Sequence, residues 1–236
     1  MVKHFTRPAL MAEIKQAIDG SPHPGISRAD GRAGLLLENL LGIEGGNHDV
    51  ADAVGFELKT SINPNTPVTL FHKEALPRGN CTTMVHRFGW PAEYGDEKHP
   101  VTSFRATIYG EWKSQHEDVT LRVVADNTHV SIMSGQERVA HWLSDDLAAA
   151  AAAKLRNMML VFARDNRDGT ISFTSANLLE NFQPFKFIEA INAGRIAIEY
   201  DARTKPDSKT VRNHGTKFRI RERDLHLIYT RVVEIN

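Results

Sequence analysis

Hydrophobic positions recur at three- and four-residue spacing over residues 7–19, where Leu10, Met11, Ile14, Ala17 and Ile18 follow Thr6 and Pro8. This predicts a capped helix ended by Gly20. Residues 31–42 contain Leu35, Leu36, Leu37, Leu40 and Leu41, too apolar for a surface helix, with Glu38 as the one acid. From Gly55 the pattern turns to strands at 56–62, 68–72, 102–109, 119–125 and 130–133, separated by Asn, Pro, Gly and charged clusters. Ser144, Asp145 and Asp146 open an alanine-rich helix through Leu155. Strands are expected at 158–163, 170–173, 196–200 and 217–220, and a helix at 185–193 ended by Gly194. Leu225, Ile228, Tyr229 and Val232 predict a closing helix over 222–233. Helices and strands mix without strict alternation, repeat or linker. The expected architecture is therefore α/β or α+β around a mixed sheet with flanking helices, one domain over residues 1–236.

Composition narrows the class. The 236 residues are 41% hydrophobic and 25% charged, which excludes a disordered chain or a rod. No apolar run reaches the length of a membrane span, and the first residues lack a signal-peptide core, so a cytoplasmic protein without a membrane partner is expected. Cys81 is the single cysteine, so neither an internal disulfide nor a thiolate zinc cage is available. Lys+Arg and Asp+Glu balance at 29 each, but placement is uneven. Over residues 203–221 seven cations oppose Asp207 alone, net +6. That segment is either a solvated loop or a phosphate-contacting arm.

The stretch from Asn47 to Thr60 holds the most chemistry. Strand alternation puts Glu57 and Lys59 on one face while Phe56 and Leu58 enter the core. Asp52, before the turn at Gly55, can fold back beside Glu57, giving two hard carboxylates for one Mg²⁺. Such an ion polarises a phosphate and lowers the pKa of a bound water, and Lys59 either orients the attacking water as an ammonium or, with a depressed pKa, acts as a base. Alone, the Asp…Glu-x-Lys pattern arises by chance about once in a chain of this size. The bland alternative is a surface ion pair on an edge strand.

Further segments in order make the likeness specific. Residues 34–42 (GLLLENLLG) followed by Asp52 and Glu57-Leu58-Lys59 resemble the catalytic half of the MutH-like nucleases, and more closely the MvaI/BcnI family of type II restriction endonucleases. Leu70-Phe71-His72-Lys73, Arg87-Phe88-Gly89-Trp90, Leu160-Val161-Phe162-Ala163, residues 214–220 and Leu227-Ile228-Tyr229 resemble segments of the BcnI-like members, so the likeness spans about Gly31 to Tyr229. It implies a MutH-like fold of two lobes around a DNA cleft, with Asp52, Glu57 and Lys59 catalytic and Glu38 accessory. Asp52, Glu57 and Leu58 are the implied Mg²⁺-holding residues. It further implies a monomer that nicks each strand of double-stranded DNA in turn at a GC-rich CC-N-GG site, alongside a cognate methyltransferase that is not a bound partner. His72 matches a histidine that reads the central pair. A second such histidine is replaced here by Lys217, which offers donors only.

Other residues carry two readings each. His72, with Leu70 on its face, is a half-buried core histidine or, by the resemblance, a base reader. Arg87-Phe88-Gly89-Trp90 either clamps DNA or makes a tight turn on the core. Lys217 and Arg219 share a strand face beside His214, suited to base edges or phosphates, while Arg212 and Arg221 suit the backbone; the alternative is a charged strand edge. Three functions follow: a restriction endonuclease, a mismatch-repair nickase of the MutH type, and a non-catalytic DNA-binding module. The segments shared with BcnI-like enzymes favour the first.

Overall fold

The structure, a computed structural model, describes residues 5–26, 31–43, 55–93, 100–116, 118–206 and 210–236. Asp52, and the Asp207 and Lys209 of the basic segment, lie outside the described residues. The elements run α1 (Arg7–Ala17), β1 (Pro22–Pro24), α2 (Arg32–Leu41), β2 (Glu57–Ser61), β3 (Val68–His72), α3 (Asn80–Phe88), β4 (Trp90–Pro91), β5 (Thr102–Ile108) and β6 (Glu111–Lys113). They continue through β7 (Thr120–Ala125), β8 (His129–Ser134), β9 (Glu137–Leu143), α4 (Ser144–Leu155), β10 (Asn157–Asp165), β11 (Thr170–Phe182) and α5 (Pro184–Asn192). Last come β12 (Ile196–Thr204), β13 (Val211–Asn213), β14 (Lys217–Ile220), a 3-10 turn (Glu222–Leu227) and β15 (Tyr229–Ile235). No helix among the described residues is long and apolar enough to cross a membrane. The mixed α/β class expected from the pattern is the one observed.

The chain forms two compact units. The first comprises Met1–Val68, Ala150–Gln183 and Arg221–Asn236. Its sheet has the order β1-β11-β10-β2, with β15 also on β11. Among the described residues, the β2–β10 pairing is the parallel one of this sheet, and β2 stands at the end of the strand order. Leu58, Met159, Val161, Ala176 and Leu178 on one face join Leu10 and Ile14 of α1 and Leu36, Leu37 and Leu41 of α2 in a single apolar core. Leu35 and Leu40 of α2 stay exposed, so the leucine-rich helix buries one face and shows the other to solvent, rather than being enclosed as its composition suggested.

The closing helix expected over residues 222–233 is not there. A 3-10 turn takes Glu222–Leu227, and Tyr229–Ile235 is a strand paired antiparallel with β11 from Phe182↔Tyr229 to Ala176↔Ile235. Beta-branched Thr230, Val232, Val233 and Ile235 favour the strand. Strand β1 pairs only with Pro22↔Ser172 to Pro24↔Thr170, so the rest of that long edge of β11 needs backbone partners, which the C-terminal segment supplies.

The second unit comprises Thr69–Ala149 and Pro184–Ile220. It contains the sheet β3-β14-β12-β5-β4, with β13 on β12, and the meander β6-β7-β8-β9. Phe71, Phe187, Phe218 and Trp142 pack ring against ring, as do Phe88, Phe104 and Tyr200. Helix α3, which the pattern analysis did not place, buries Cys81, Met84, Val85 and Phe88 at helical spacing. The Cys81 thiol lies 3.1 Å from Asn213 Oδ1, and burial pushes its pKa up to about 12, which keeps it a structural thiol.

Gly89 is closely packed against its surroundings. A Cβ there would stand 2.3 Å from the Val85 carbonyl oxygen and 2.7 Å from Thr102 Cγ2, so the residue makes a tight turn packed on the core. Gly89→Ala forces backbone apart and is expected to cost about 3 kcal/mol, lowering Tm by roughly 6–12 °C. A thermal melt checks this; an unchanged Tm would show that the turn yields without strain.

Candidate active site and nucleic-acid interface

Strand β2 sets out the candidate chemistry by alternation. Leu58 and Thr60 face α2, where Gly34 approaches close enough that its Cβ would lie 3.6 Å from Thr60 Oγ1. Glu57 and Lys59 project from the other face. There they neighbour Met158 and Leu160, their fully buried register partners on β10. The Glu57 side chain is 0% exposed, and Lys59 Nζ, on a side chain 24% exposed, donates to Glu57 Oε1. An ion pair with a fully buried acid differs from the solvated edge-strand pair that was the alternative reading.

A second ammonium reaches the same oxygen. Lys154, in the last turn of α4, places Nζ 3.8 Å from Glu57 Oε1, with its side chain 19% exposed. Tyr229 is buried and donates its hydroxyl to the Leu155 carbonyl at 2.9 Å, pinning the end of α4 beside Lys154. Burial, and then the Glu57 charge, push the Tyr229 phenol well above its ordinary pKa, so it stays a donor. Nothing in the hydrophobic pattern singles out Lys154, because the six consecutive alanines before it read as a packing surface. Its one signal was a cation at a helix C-terminus, a place lysine occupies for the helix dipole alone.

Glu38 is half-buried on α2, one turn beyond Gly34 and so on the helix that covers the Leu58 face. Asp52 lies outside the described residues. Among the described residues, no three His, Cys, Asp or Glu side chains gather into a metal site. The donor chemistry of Glu57 still fits a hard divalent ion, since its carboxylate is anionic, oxygen-only and held from bulk water.

The second unit carries most of the residues expected to touch DNA. His72 is exposed at the end of β3, which replaces the half-buried core reading, and a Cβ at Gly215 would lie 3.5 Å from its ring. On β14, Lys217 and Arg219 share a face, as alternation requires, but acids of β12 engage both. Lys217 Nζ donates to Glu199 at 3.0 Å and to Asp201 at 3.5 Å, and Arg219 donates to Glu199. Arg105 of β5 bonds Asp201 at 3.1 Å. The opposite face, with Phe218, Ile198, Tyr200 and Phe104, is buried. Glu199 and Asp201 were not singled out from the sequence, although I-E-Y-D-A-R alternates plainly.

The remaining cations differ in what holds them. Arg212 and His214 are exposed on and beside β13, where Arg212 pairs in register with Arg203 and the His214 amide donates to the Asp201 carbonyl. Arg87 is gripped by Glu137, with one contact at 2.5 Å, and lies over the Phe88 ring. Trp90 stacks on His116 at 4.7 Å. Arg221, in the first unit, is exposed just before the 3-10 turn.

The fold and a buried strand-borne Glu-x-Lys pair define the class, a restriction-endonuclease fold. A solved structure described as a restriction endonuclease MvaI-cognate DNA substrate complex matches with a TM-score of 0.83 at 23% identity, covering 98% of this chain and all of that one. Restriction endonuclease MvaI in the absence of DNA matches at 0.56 and 20% identity, with both chains fully covered. No curated protein matches the chain significantly. The chain belongs to the MvaI/BcnI restriction endonuclease family, whose model matches residues 11–229. It is thus a type II site-specific DNA nuclease, of a kind that generally uses a divalent metal ion.

Proposed function

We propose that this nuclease hydrolyses double-stranded DNA with Mg²⁺ at a GC-rich CC-N-GG site, as a monomer nicking each strand in turn. A cognate methyltransferase protects the same site without forming a complex with it. Asp52, Glu57 and Leu58 hold the cation, with Glu38 accessory. When bound, the cation polarises the scissile phosphate and lowers the pKa of a water. Lys59 holds its ammonium against Glu57 and orients the attacking water or, after giving up its own proton, takes the water's proton as the neutral amine. The burial of Glu57 excludes competing water from the carboxylate and strengthens every charge interaction around it. The observation that carries the reading is this buried carboxylate shared with Lys59, in a chain of this family.

Base reading falls to His72, Lys217 and Arg219 with His214, and the backbone grip to Arg212 and Arg221. Glu199 and Asp201 hold Lys217 and Arg219 in fixed rotamers, so little side-chain entropy is lost when they meet DNA. Arg87 grips a phosphate only by leaving Glu137. The exposed His72 is tested by His72→Ala, which is expected to relax discrimination at the central pair or slow cutting about tenfold, with the fold retained. An unchanged site preference and rate would remove His72 from the reading set.

The decisive experiment incubates the purified protein with plasmid and Mg²⁺ and sequences the ends. Cuts at one short GC-rich site, lost in Asp52→Ala while Ca²⁺-supported DNA binding persists, are the expected result. Undiminished cutting by Asp52→Ala, or ends with no common site, would overturn the reading.

A further inference from the structure

The turn after β13 closes beside the ring of His72, and one side chain builds it. Asn213 Oδ1 accepts the Gly215 amide at 2.7 Å. Residues 213–215 are therefore an Asx turn, in which a side-chain oxygen stands in for a backbone carbonyl. A backbone N–H can only donate, so the atom it meets is the carboxamide oxygen. The same oxygen lies 3.1 Å from the Cys81 thiol of α3, and burial keeps that thiol protonated and able to donate. Gly215 takes a φ of +84°, which suits glycine, and a Cβ there would stand 3.5 Å from His72 Cγ and 3.8 Å from Cδ2. One methyl group would thus fill the space between the turn and the imidazole. Backbone bonds tie the same segment down. Lys73, next to His72, donates its amide to the Thr216 carbonyl at 3.0 Å, and the His214 amide donates to the Asp201 carbonyl at 3.1 Å.

We infer that Asn213 is a positioning residue for base reading, whose carboxamide oxygen fixes the 213–215 turn that bounds the His72 ring and carries His214. This rests on the proposed base-reading role of His72 and deepens it. Asn213 is exposed, but its oxygen is engaged from two sides, by its own turn and by α3. Without that oxygen the Gly215 amide loses its acceptor, and a left-handed glycine is free to take other conformations. The turn then no longer limits the orientations of the imidazole, and its hydrogen bond to one base edge loses its directional advantage over the others. Cutting should lose selectivity rather than stop, because Glu57 and Lys59 belong to the other unit.

The test measures kcat/KM on duplexes that differ only at the central pair, one for each of the four possible pairs, and takes the ratio of best to worst. Asn213→Ala is expected to lower that ratio about tenfold. It should also melt about 3 °C lower, for the loss of one hydrogen bond. Asn213→Asp keeps an oxygen for the Gly215 amide and the Cys81 thiol, and should restore the wild-type ratio within about twofold. Its added charge repels phosphate on every duplex alike and cancels in the ratio. A merely structural asparagine would lower the melt and leave the ratio alone. If His72→Ala lowers the ratio but Asn213→Ala keeps it, or if Asn213→Asp fails to restore it, the role of Asn213 is overturned while that of His72 stands. A wild-type protein that cuts none of the duplexes or all of them alike, or a His72→Ala variant with an undiminished ratio, would overturn this inference together with base reading by His72.

Discussion

Glu57→Gln is expected to lower the rate of DNA cleavage about a thousandfold, equivalent to about 4 kcal/mol of transition-state stabilisation. The amide has almost the shape of the carboxylate, so the buried side chain still packs beside Met158 and Leu160. What disappears is the negative charge. Without it the site loses a hard anionic ligand, and Lys59 and Lys154 lose the group on which both converge. Both lysines are partly exposed and can rehydrate, so the folded state survives with a change in Tm of a few degrees. Plasmid cleavage and a thermal melt measure the two effects separately. Cutting within tenfold of the wild type, by a protein that melts normally, would remove Glu57 from the chemistry.

Lys59→Met is expected to reduce cleavage by about a hundred- to a thousandfold while Ca²⁺-supported DNA binding remains. Methionine keeps an apolar stem of similar length, so packing against Leu160 of β10 is preserved. Lys154 remains as a counter-ion for the buried carboxylate, which protects the fold from an unpaired buried charge. Lys59→Arg should restore little activity, because a planar guanidinium presents its donors in a fixed fork and does not titrate. Single-turnover cleavage with saturating enzyme reads the chemical step directly. A single-turnover rate equal to the wild type would show that the Lys59 ammonium takes no part in hydrolysis.

Particular elements show what local pattern carries and where it fails. Helices α1 and α2 and strands β3 and β14 appear where periodicity puts them, because each reports its own backbone repeat through which side chains are buried. Strand β11 runs on to Phe182, well past the expected 170–173, because pairing with β10 and β15 extends it. Residues 222–233 mislead for the same reason. Leu225, Ile228, Tyr229 and Val232 satisfy a helical repeat, yet the open edge of β11 offers backbone hydrogen bonds that a helix cannot provide. Helix α3 escaped because Gly79 opens it without a side-chain cap, although its apolar residues keep helical spacing.

The candidate site divides along the same line. That Glu57 and Lys59 share a face follows from strand alternation alone, and the ordered run of short segments pointed to the family whose model matches residues 11–229. That Glu57 is fully buried does not follow, because burial depends on Met158, Leu160, the end of α4 and the segment carrying Tyr229, all remote in the chain. Nor does the second ammonium from Lys154, or the capture of Lys217 and Arg219 by Glu199 and Asp201. By itself the sequence determined most of the local elements, the shared strand face and the likeness to a nuclease family. Only the tertiary structure decided which charges meet and which are shielded from water. Backbone periodicity is a short-range property of each segment, whereas charge pairing and desolvation arise only when distant segments close on one another.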